Sequence, residues 1–282
     1  MISSELEAHI ATQVANAISE DVNGGDLTAA LIPAARRGHA TVITREAMVL
    51  CGRPWFDGVF QHISPEVRVE WRLQEGMAAE PNQSLCSIAG PARALLTGER
   101  TALNFLQTLS ATATETKRYV DAIRGTHTVI VDTRKTLPGL RLAQKYAVRI
   151  GGGTNHRIGL YDGVLIKENH IMVAGGVVTA LKQAQQHAGV PIQIEVETLQ
   201  QLNEALAAGA KMILLDNFDL GRMRDAVAIN AGRAKLEASG GVNLDTVRAI
   251  AETGVDRISV GALTKDVKAI DLSMRFAMDI NR

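Results

Sequence analysis

The sequence is poor in cysteine and in aromatic residues, and it carries no net charge. Cys51 and Cys86 are its only cysteines, and aromatic residues make up 4% of the 282 positions. Two widely separated thiols form neither a disulfide framework nor a zinc-ligand pattern, so we interpret both as buried side chains of a protein in the reducing cytoplasm. The 30 basic and 30 acidic residues cancel. Without a basic field or many aromatic rings, a nucleic-acid partner is not expected.

Long hydrophobic runs are missing as well. The longest stretch without charge, residues 101–114, is interrupted by Thr, Asn, Gln and Ser and is shorter than the ~18 apolar residues that a membrane span needs. The first twenty residues contain Glu5, Glu7 and Glu20 and lack the apolar segment of a signal peptide. We therefore expect no membrane partner and a cytoplasmic location.

The first part of the chain mixes helical and strand patterns. Apolar residues recur every four positions from Leu6 to Ile18, which predicts one amphipathic helix. Residues 38–50, 67–73 and 84–89 resemble strands. Residues 92–123 predict one long helix or two shorter ones. The pattern is typical of an α+β domain, which we place over residues 1–110.

From about residue 126 short apolar runs alternate with helical stretches. Six runs are visible, at 128–131, 163–166, 192–196, 212–215, 235–238 and 257–260. Helices are expected around 139–148, 176–187, 198–208, 219–230 and 243–253. This alternation predicts parallel strands joined by right-handed crossovers. Six strands are fewer than the eight of a closed barrel, so an open barrel over residues 111–270 fits, with a doubly wound sheet as the rival. For residues 271–282 we predict a C-terminal helix that packs back on the first domain.

Polar residues or glycines follow nearly every one of these six strands. They are Asp132 to Lys135, Lys167, Glu195 with Glu197, Asp216-Asn217, Ser239-Gly240-Gly241 and Gly261. Reactive groups of barrel enzymes lie at the carboxyl ends of the strands. Within 192–197 the period of two places Gln193, Glu195 and Glu197 on one face. That face points into the barrel mouth, unless the segment is a solvated edge strand.

Two further patterns favour an anion site. Residues 132–170 contain seven Arg or Lys residues against three acids, and the glycines at 151–153 precede His156 and Arg157. Such glycines let backbone N–H groups approach an anion closely, although a plain turn looks similar. Ser239-Gly240-Gly241 before a helix capped by Asn243 or Asp245, together with the turn at Gly261, is typical of the phosphate seat of a barrel enzyme.

Taken in order, these segments resemble the signature blocks of the quinolinate phosphoribosyltransferases. The matching segments are Thr133-Arg134-Lys135-Thr136, Gly151 to Arg157, Lys167-Glu168-Asn169-His170, Glu195-Val196-Glu197, Leu215-Asp216-Asn217, Ser239-Gly240-Gly241 and Ser259-Val260-Gly261-Ala262. Glu20-Asp21, Gly25 to Thr28 and Glu99 to Asn104 match the N-terminal domain of the family. Glu168 stands where Asp is more usual, which conserves the charge. The resemblance covers essentially the whole chain.

The resemblance implies an α/β fold, with an N-terminal α/β sandwich domain before an open or incomplete barrel of about six to seven parallel strands. It implies transfer of the phosphoribosyl group of phosphoribosyl pyrophosphate (PRPP) to quinolinate with loss of CO2, which gives nicotinate mononucleotide. It also implies a homodimer or higher oligomer in which an arginine, here Arg100, reaches the active site of the other subunit.

The resemblance also assigns roles. Lys135, Glu195 and Asp216 are the expected catalytic residues. The expected substrate-binding residues are Arg100, Thr133, Arg134, Lys135, His156, Arg157, Lys167, Glu195, Asp216, Ser239, Gly240, Gly241, Val260, Gly261 and Ala262. Arginine forks match the two carboxylates of quinolinate, and carboxylates stabilise positive charge on the ribose.

Mg²⁺ is the one expected cofactor, bound mainly through PRPP and near Glu195 and Asp216 rather than in a metal site built by the protein alone. No organic cofactor is expected, because the quaternised pyridine nitrogen accepts the electrons of decarboxylation. Two alternatives stay open: a relative that uses another aromatic acid such as nicotinate, and a silent binding protein of the same fold. Against the first, the expected site has six cationic groups, more than the single carboxylate of nicotinate needs: Arg100, Arg134, Lys135, His156, Arg157 and Lys167. Against the second, a silent binding protein is expected to lack Arg134, Lys135, His156 or Glu195, and all four are present.

Overall fold

A computed structural model describes residues 3–186 and 189–278, with residue 278 described by its backbone only. The chain divides into two compact units. The first contains residues 1–115, 138–151 and 267–282, and the second contains residues 116–137 and 152–266. No helix in the described ranges is long and apolar enough to cross a membrane.

The first unit is built on a four-stranded antiparallel sheet with the order β12-β1-β5-β3. Its strands are β1 (Arg37–Thr44), β3 (Arg68–Trp71), β5 (Ser84–Pro91) and β12 (Leu272–Met278). A separate pair joins β2 (Met48–Val49) to β4 (Ala78–Ala79). The helices are α1 (Ser4–Asp21), α2 (Arg53–Ile63), the first part of α3 (Ala92–Ala122) and α4 (Arg141–Ile150), with one 3-10 turn at Ala29–Leu31.

The helix predicted from the spacing of four is confirmed as α1. The Ser3 side chain accepts a hydrogen bond from the Leu6 N–H and caps its start. Leu6, Ile10, Val14 and Ile18 are all buried. The sequence patterns did not predict α2, although it carries the largest buried side chains of this unit, among them Trp55, Phe56 and Phe60.

The C-terminal helix predicted over 271–282 is wrong for the described residues. Residues 272–278 form β12, which pairs antiparallel with β1 from Leu272–Thr44 to Met278–Gly38. The segment L-S-M-R-F-A-M alternates with a period of two, and Met274 and Phe276 pack against the core of the unit. Without β12, β1 would present an unpaired edge. Residues 279–282 lie outside the described ranges.

The second unit contains one six-stranded parallel sheet with the order β6-β11-β10-β9-β8-β7. Its strands are β6 (Val129–Val131), β7 (Val164–Ile166), β8 (Ile192–Val196), β9 (Met212–Asp216), β10 (Lys235–Ser239) and β11 (Arg257–Ser259). The helices are α5 (Glu168–Ala174), α6 (Val177–Gln186), α7 (Leu199–Ala207), α8 (Leu220–Asn230), α9 (Val247–Ala251) and α10 (Ala262–Lys265).

This strand order selects the barrel over the doubly wound sheet. The strands β7 to β11 follow one another in sequence order, and β6 lies beside β11. A closed barrel would have the same cyclic order with β6 and β7 also paired. Here the opening falls between those two strands. Thr154 lies alongside Val131 through an isolated parallel bridge, so a short segment covers the outer side of β6.

The unit boundaries differ from the predicted division at residue 110. The first boundary falls inside α3, between residues 115 and 116, and residues 138–151 with α4 belong to the first unit. The reason is burial: Ala143, Tyr146 and Ala147 of α4 are part of the apolar core of the first unit. A helix that follows a barrel strand in sequence therefore does not have to cover that strand. The predicted helix 243–253 is shorter, at 247–251, and residue 187 of the predicted helix 176–187 lies outside the described ranges.

Candidate active site

The carboxyl ends of the six parallel strands lie along one edge of the sheet, and most of the predicted site residues lie there. Ile166 is level with Ile194, Asp216 with Ser239, and Ser259 with Val131. The parallel topology therefore gathers residues that are more than one hundred positions apart in sequence. The exception is Arg100, which lies on α3 in the first unit with its side chain exposed.

One side of this edge is acidic. The Lys167 Nζ lies 3.8 Å from the Glu195 Oε2, and the Glu195 side chain is 13% exposed. Burial raises the pKa of Glu195, Lys167 opposes this, and Asp216, Glu197 and Glu168 raise it further. Several carboxylates thus surround Glu195, and a cation placed among them would be stabilised by their charges.

Within the described ranges no three His, Cys, Asp or Glu side chains group as metal ligands would. Two half-buried carboxylates, Glu195 and Asp216, fit a hard cation that keeps water and phosphate ligands, as Mg²⁺ does. These donors therefore suit Mg²⁺ that arrives with a phosphorylated substrate.

The other side of the edge is cationic. Burial and the neighbouring Arg134 lower the pKa of Arg157, while Asp162 opposes them. The Arg157 Nη1 donates to the Gly163 carbonyl at 3.0 Å. Asp162 accepts the N–H groups of Ile158 and Gly159 at 2.7 and 2.8 Å, which closes the turn after Arg157. These bonds hold Arg157 next to the start of β7, near enough to Arg134 for the two charges to repel.

The segment Thr154–Arg157, called the strap below, is fixed by β6 and by its own side chains. Asp132, which is fully buried, accepts the Asn155 side-chain amide at 2.6 Å and the His156 N–H at 2.7 Å. The Thr154 N–H donates to the Ile130 carbonyl. Sequence reasoning noted Asp132 at a strand end but missed this role. An acid directly after the apolar run T-V-I-V was the available signal.

The His156 ring is bonded within the chain on both nitrogens. The Arg157 N–H donates to the His156 Nδ1 at 2.7 Å, and the His156 Nε2 lies 2.8 Å from the Gln193 Oε1. Gln193 and Glu195 were predicted to share the inner face of β8. In the structure Gln193 contacts His156, and Glu195 lies near Lys167. Glu197 follows the end of β8 and is exposed.

Two glycine loops follow neighbouring strands, one at Gly240-Gly241 after β10 and one at Gly261 after β11. The first has the geometry expected where the backbone approaches another group closely. Gly240 has a φ of +102°, and a Cβ there would lie 2.1 Å from the Asn217 Oδ1, so only glycine fits. Neither Gly240 nor Gly241 donates its N–H to another group within the described chain, so both donors are available to a ligand. The Asn243 side chain accepts the N–H groups of residues 245 and 246, so Asn243 caps a turn before α9 rather than the helix itself.

The loop after β11 supports the loop after β6. A Cβ at Gly261 would lie 3.3 Å from the Lys135 Cδ, and the Thr264 hydroxyl donates to the Lys135 carbonyl at 2.7 Å. The Thr133 hydroxyl accepts the Lys135 N–H at 3.1 Å. Val260 is 1% exposed and its N–H donates to the Val131 carbonyl, so the structure places it in the core below the loop. Ala262 is the first residue of α10.

The chain matches both domain models of one protein family. The quinolinate phosphoribosyl transferase N-terminal domain matches residues 26–110, and the C-terminal domain matches residues 112–275. The chain is 41% identical over 257 residues to the "Probable nicotinate-nucleotide pyrophosphorylase [carboxylating]" of Bacillus subtilis, with 90% of this chain and 89% of the relative covered. It is 42% identical over 269 residues to the "Nicotinate-nucleotide pyrophosphorylase [carboxylating]" of Mycobacterium leprae, with 93% and 95% covered.

A solved structure gives the same result. The nicotinate-nucleotide pyrophosphorylase of Francisella tularensis superposes with a TM-score of 0.93 at 44% identity, with 96% of this chain and 97% of that chain covered. The names of the Bacillus and Mycobacterium relatives include the carboxylating reaction, which supports the predicted reaction rather than the silent binding protein. The expected family is therefore confirmed: the chain belongs to the quinolinate phosphoribosyl transferase family.

Proposed function

We propose that the chain transfers the phosphoribosyl group of PRPP to quinolinate with decarboxylation and forms nicotinate mononucleotide, pyrophosphate and CO2. The observation that carries the proposal is the division of one strand-end edge into a cationic side with Arg134 and Arg157 and an acidic side around Glu195. The cationic side suits a dicarboxylate, and the acidic side suits a sugar that develops positive charge. The glycine loops lie at the ends of the neighbouring strands β10 and β11.

Quinolinate binding is assigned to the cationic side. Arg134 and Arg157 bind the two carboxylates through their planar forks, with Lys135 and Lys167 as point charges for carboxylate or diphosphate oxygens. His156 shapes this side through the strap. Arg100 completes the site from the other subunit of a homodimer, as the resemblance implies. A cytoplasmic location, where both thiols stay reduced, is part of the same proposal.

The glycosyl step separates pyrophosphate from C1 of the ribose and joins C1 to the pyridine nitrogen. Glu195 and Asp216 stabilise the positive charge that develops on the sugar and bind its hydroxyls. Mg²⁺ that accompanies PRPP would be held near these two carboxylates, where it would neutralise charge on the leaving diphosphate. The 5′-phosphate is bound by the N–H groups of the glycine loops at Gly240, Gly241 and Gly261.

Decarboxylation follows because the new bond gives the ring nitrogen a positive charge. The bond between C2 and its carboxylate breaks, CO2 leaves, and the electron pair left at C2 is stabilised by that nitrogen before a proton is taken up. Lys135 is our candidate for the acid that supplies this proton. The remaining contribution of the protein is orientation and the exclusion of water from the leaving carboxylate.

The test combines the purified protein with quinolinate, PRPP and Mg²⁺ and follows CO2 and nicotinate mononucleotide together. The proposal expects equal amounts of both products and no reaction when nicotinate replaces quinolinate. Folded protein that forms neither product would contradict it and would favour a binding protein. Turnover of nicotinate at a similar rate would contradict the assignment of quinolinate as the substrate.

A further inference from the structure

The interior of the barrel contains a group of polar side chains of which only His156 has so far been given a role in the reaction. This group, called the interior cluster below, consists of His156, Gln193, Glu237 and Arg257. Gln193 is 3% exposed and Glu237 1% exposed, and both lie in the middle of strands. Three of the four side chains, those of His156, Gln193 and Arg257, line a cavity of about 330 Å³ that also reaches Arg157.

The hydrogen bonds of the cluster fix the tautomer of His156. The Nδ1 atom accepts the Arg157 N–H at 2.7 Å, so the ring proton lies on Nε2. That proton is donated to the Gln193 Oε1 at 2.8 Å. Any change that turns the ring or moves the proton to Nδ1 removes the acceptor of the Arg157 N–H. The ring orientation of His156 and the backbone of Arg157 are therefore coupled.

Glu237 lies beside the same edge of the ring. Its Oε1 is 3.7 Å from the His156 Nε2, and its Oε2 is 3.4 Å from the Arg257 Nε. Neither carboxylate oxygen has a hydrogen-bond partner in the described part of the chain. A buried carboxylate costs several kcal/mol unless its partners are well placed, and an apolar side chain would fill this position at lower cost. The position therefore calls for a role other than packing.

We propose that Glu237 is a positioning residue that acts through His156 on Arg157. The carboxylate attracts the Nε2–H edge of the imidazole while Gln193 accepts its proton, and Arg257 offsets the negative charge from the other side. The ring then presents Nδ1 to the Arg157 N–H. This holds the Arg157 backbone, and with it the guanidinium, against the repulsion of Arg134.

The inference depends on the proposed function only where Arg157 is taken to bind quinolinate. The contact between the Arg157 N–H and the His156 ring exists without substrate, so it can be measured in protein that has none. Hydrogen exchange of the Arg157 amide, followed by mass spectrometry or NMR, reports on this contact directly.

Two variants test the role of the cluster. Glu237→Gln removes the charge and keeps the shape, and Gln193→Met removes the acceptor at similar volume. In both we expect the Arg157 amide to exchange about 10-fold faster or more and the KM for quinolinate to rise about 10-fold, in line with losses seen when an outer partner of a functional histidine is removed. The KM for PRPP is expected to stay within about 2-fold, since uniform loosening of the fold would raise both.

Asp256→Asn is the matched control. Asp256 is a carboxylate of the same barrel that accepts the Lys235 ammonium and the Leu236 N–H, next to Arg257 in sequence but bonded away from the strap. We expect this variant to leave the Arg157 amide and both KM values unchanged. An equal effect in Asp256→Asn would overturn the inference, because it would show a general response of the barrel.

The double variant Glu237→Gln with Arg257→Gln separates positioning from charge balance. If the carboxylate serves only to neutralise Arg257, the double variant regains the wild-type KM and exchange rate, and the inference is wrong. Unchanged exchange in Glu237→Gln also overturns it, whatever Gln193→Met shows. Wild-type protein that is inactive, yet shows faster Arg157 exchange in the variants, would reject the proposed function and retain the positioning role.

Discussion

Glu75 in the first unit is half-buried and Glu237 in the second unit is buried, and the two carboxylates are held in different ways. Glu75 in the first unit accepts the Gly52 N–H at 2.7 Å, the Arg53 N–H at 3.3 Å and the Tyr146 hydroxyl at 3.1 Å. It thus caps the start of α2 and joins α2 to α4. Within the part of the chain that the structure describes, Glu237 in the second unit has only longer contacts, to two side chains of the barrel interior.

The surroundings of the two carboxylates differ in the same sense. Glu75 borders a core of large apolar side chains, including the fully buried Trp55 and Phe56. Burial raises the pKa of Glu75, and its hydrogen bonds partly offset this. Glu237 lies among Gln193, His156 and Arg257. The comparison indicates that polar burial in the first unit completes a secondary-structure element, whereas polar burial in the barrel orients groups at the strand ends.

The largest difference between the two units is expected when a site arginine of the barrel is removed. Arg134→Ala or Arg157→Ala is expected to lower kcat/KM by about 10³-fold or more, because a bidentate carboxylate contact is lost, while the melting temperature stays nearly constant. Steady-state kinetics and a thermal melt provide the measurement. Arg149→Ala, which removes an exposed arginine of the first unit, is the control. Activity within about 3-fold of wild type in the Arg134 or Arg157 variant would contradict the assigned site.

Glu195→Gln tests whether the acidic side is organised for function at a cost in stability. We expect about a 10²-fold loss of kcat, as for other groups that stabilise transition-state charge. The folded-state pKa of Glu195 is raised, so folding favours the protonated form of this side chain. The stability that the protonated form contributes is complete below the unfolded-state pKa and is lost as the pH rises through the folded-state pKa. The variant is therefore expected to melt slightly higher than wild type at pH 7 and equally near pH 4. A lower melting temperature at pH 7 would contradict this.

Mixing two inactive variants tests whether Arg100 serves the other subunit. Arg100→Ala and Arg134→Ala are each expected to be nearly inactive, but a mixed dimer contains one site with both arginines. Equal mixing with free exchange of subunits should restore about a quarter of wild-type activity, since half of the dimers are mixed and each has one of two sites intact. Confirmed mixed dimers without recovered activity would exclude this arrangement.

The smallest effect on catalysis is expected at Glu75. Glu75→Ala leaves two backbone N–H groups and the Tyr146 hydroxyl without their acceptor, so the free energy of unfolding should fall by about 1–3 kcal/mol. Chemical denaturation measures this loss. The KM for quinolinate is expected to match wild type, in contrast to Glu237→Gln. A raised KM for quinolinate in Glu75→Ala would remove the distinction between the two carboxylates.

The alternation of strands and helices and the polar residues at strand ends could be predicted from the sequence, because both depend on neighbours in the chain. A short apolar run followed by Asp132 or Lys167 indicates a strand and the edge at which it ends. Parallel topology then brings those ends together without further information. The same reasoning missed α2, although its buried residues Trp55, Phe56, Val59 and Phe60 recur at helical spacing.

Long-range pairing decided the rest. Residues 272–278 form a strand because β1, more than two hundred positions earlier, offers an unpaired edge. The α4 helix joins the first unit because its apolar face completes that core. The contacts of Asp132 with the strap and of Glu237 with His156 connect residues from separate strands and loops, and side-chain direction at such contacts depends on the assembled barrel. By itself the sequence determined the family, the strand ends and the chemistry they carry, whereas only the tertiary structure decided which buried side chains hold that chemistry in place, because burial and distance are properties of the folded chain.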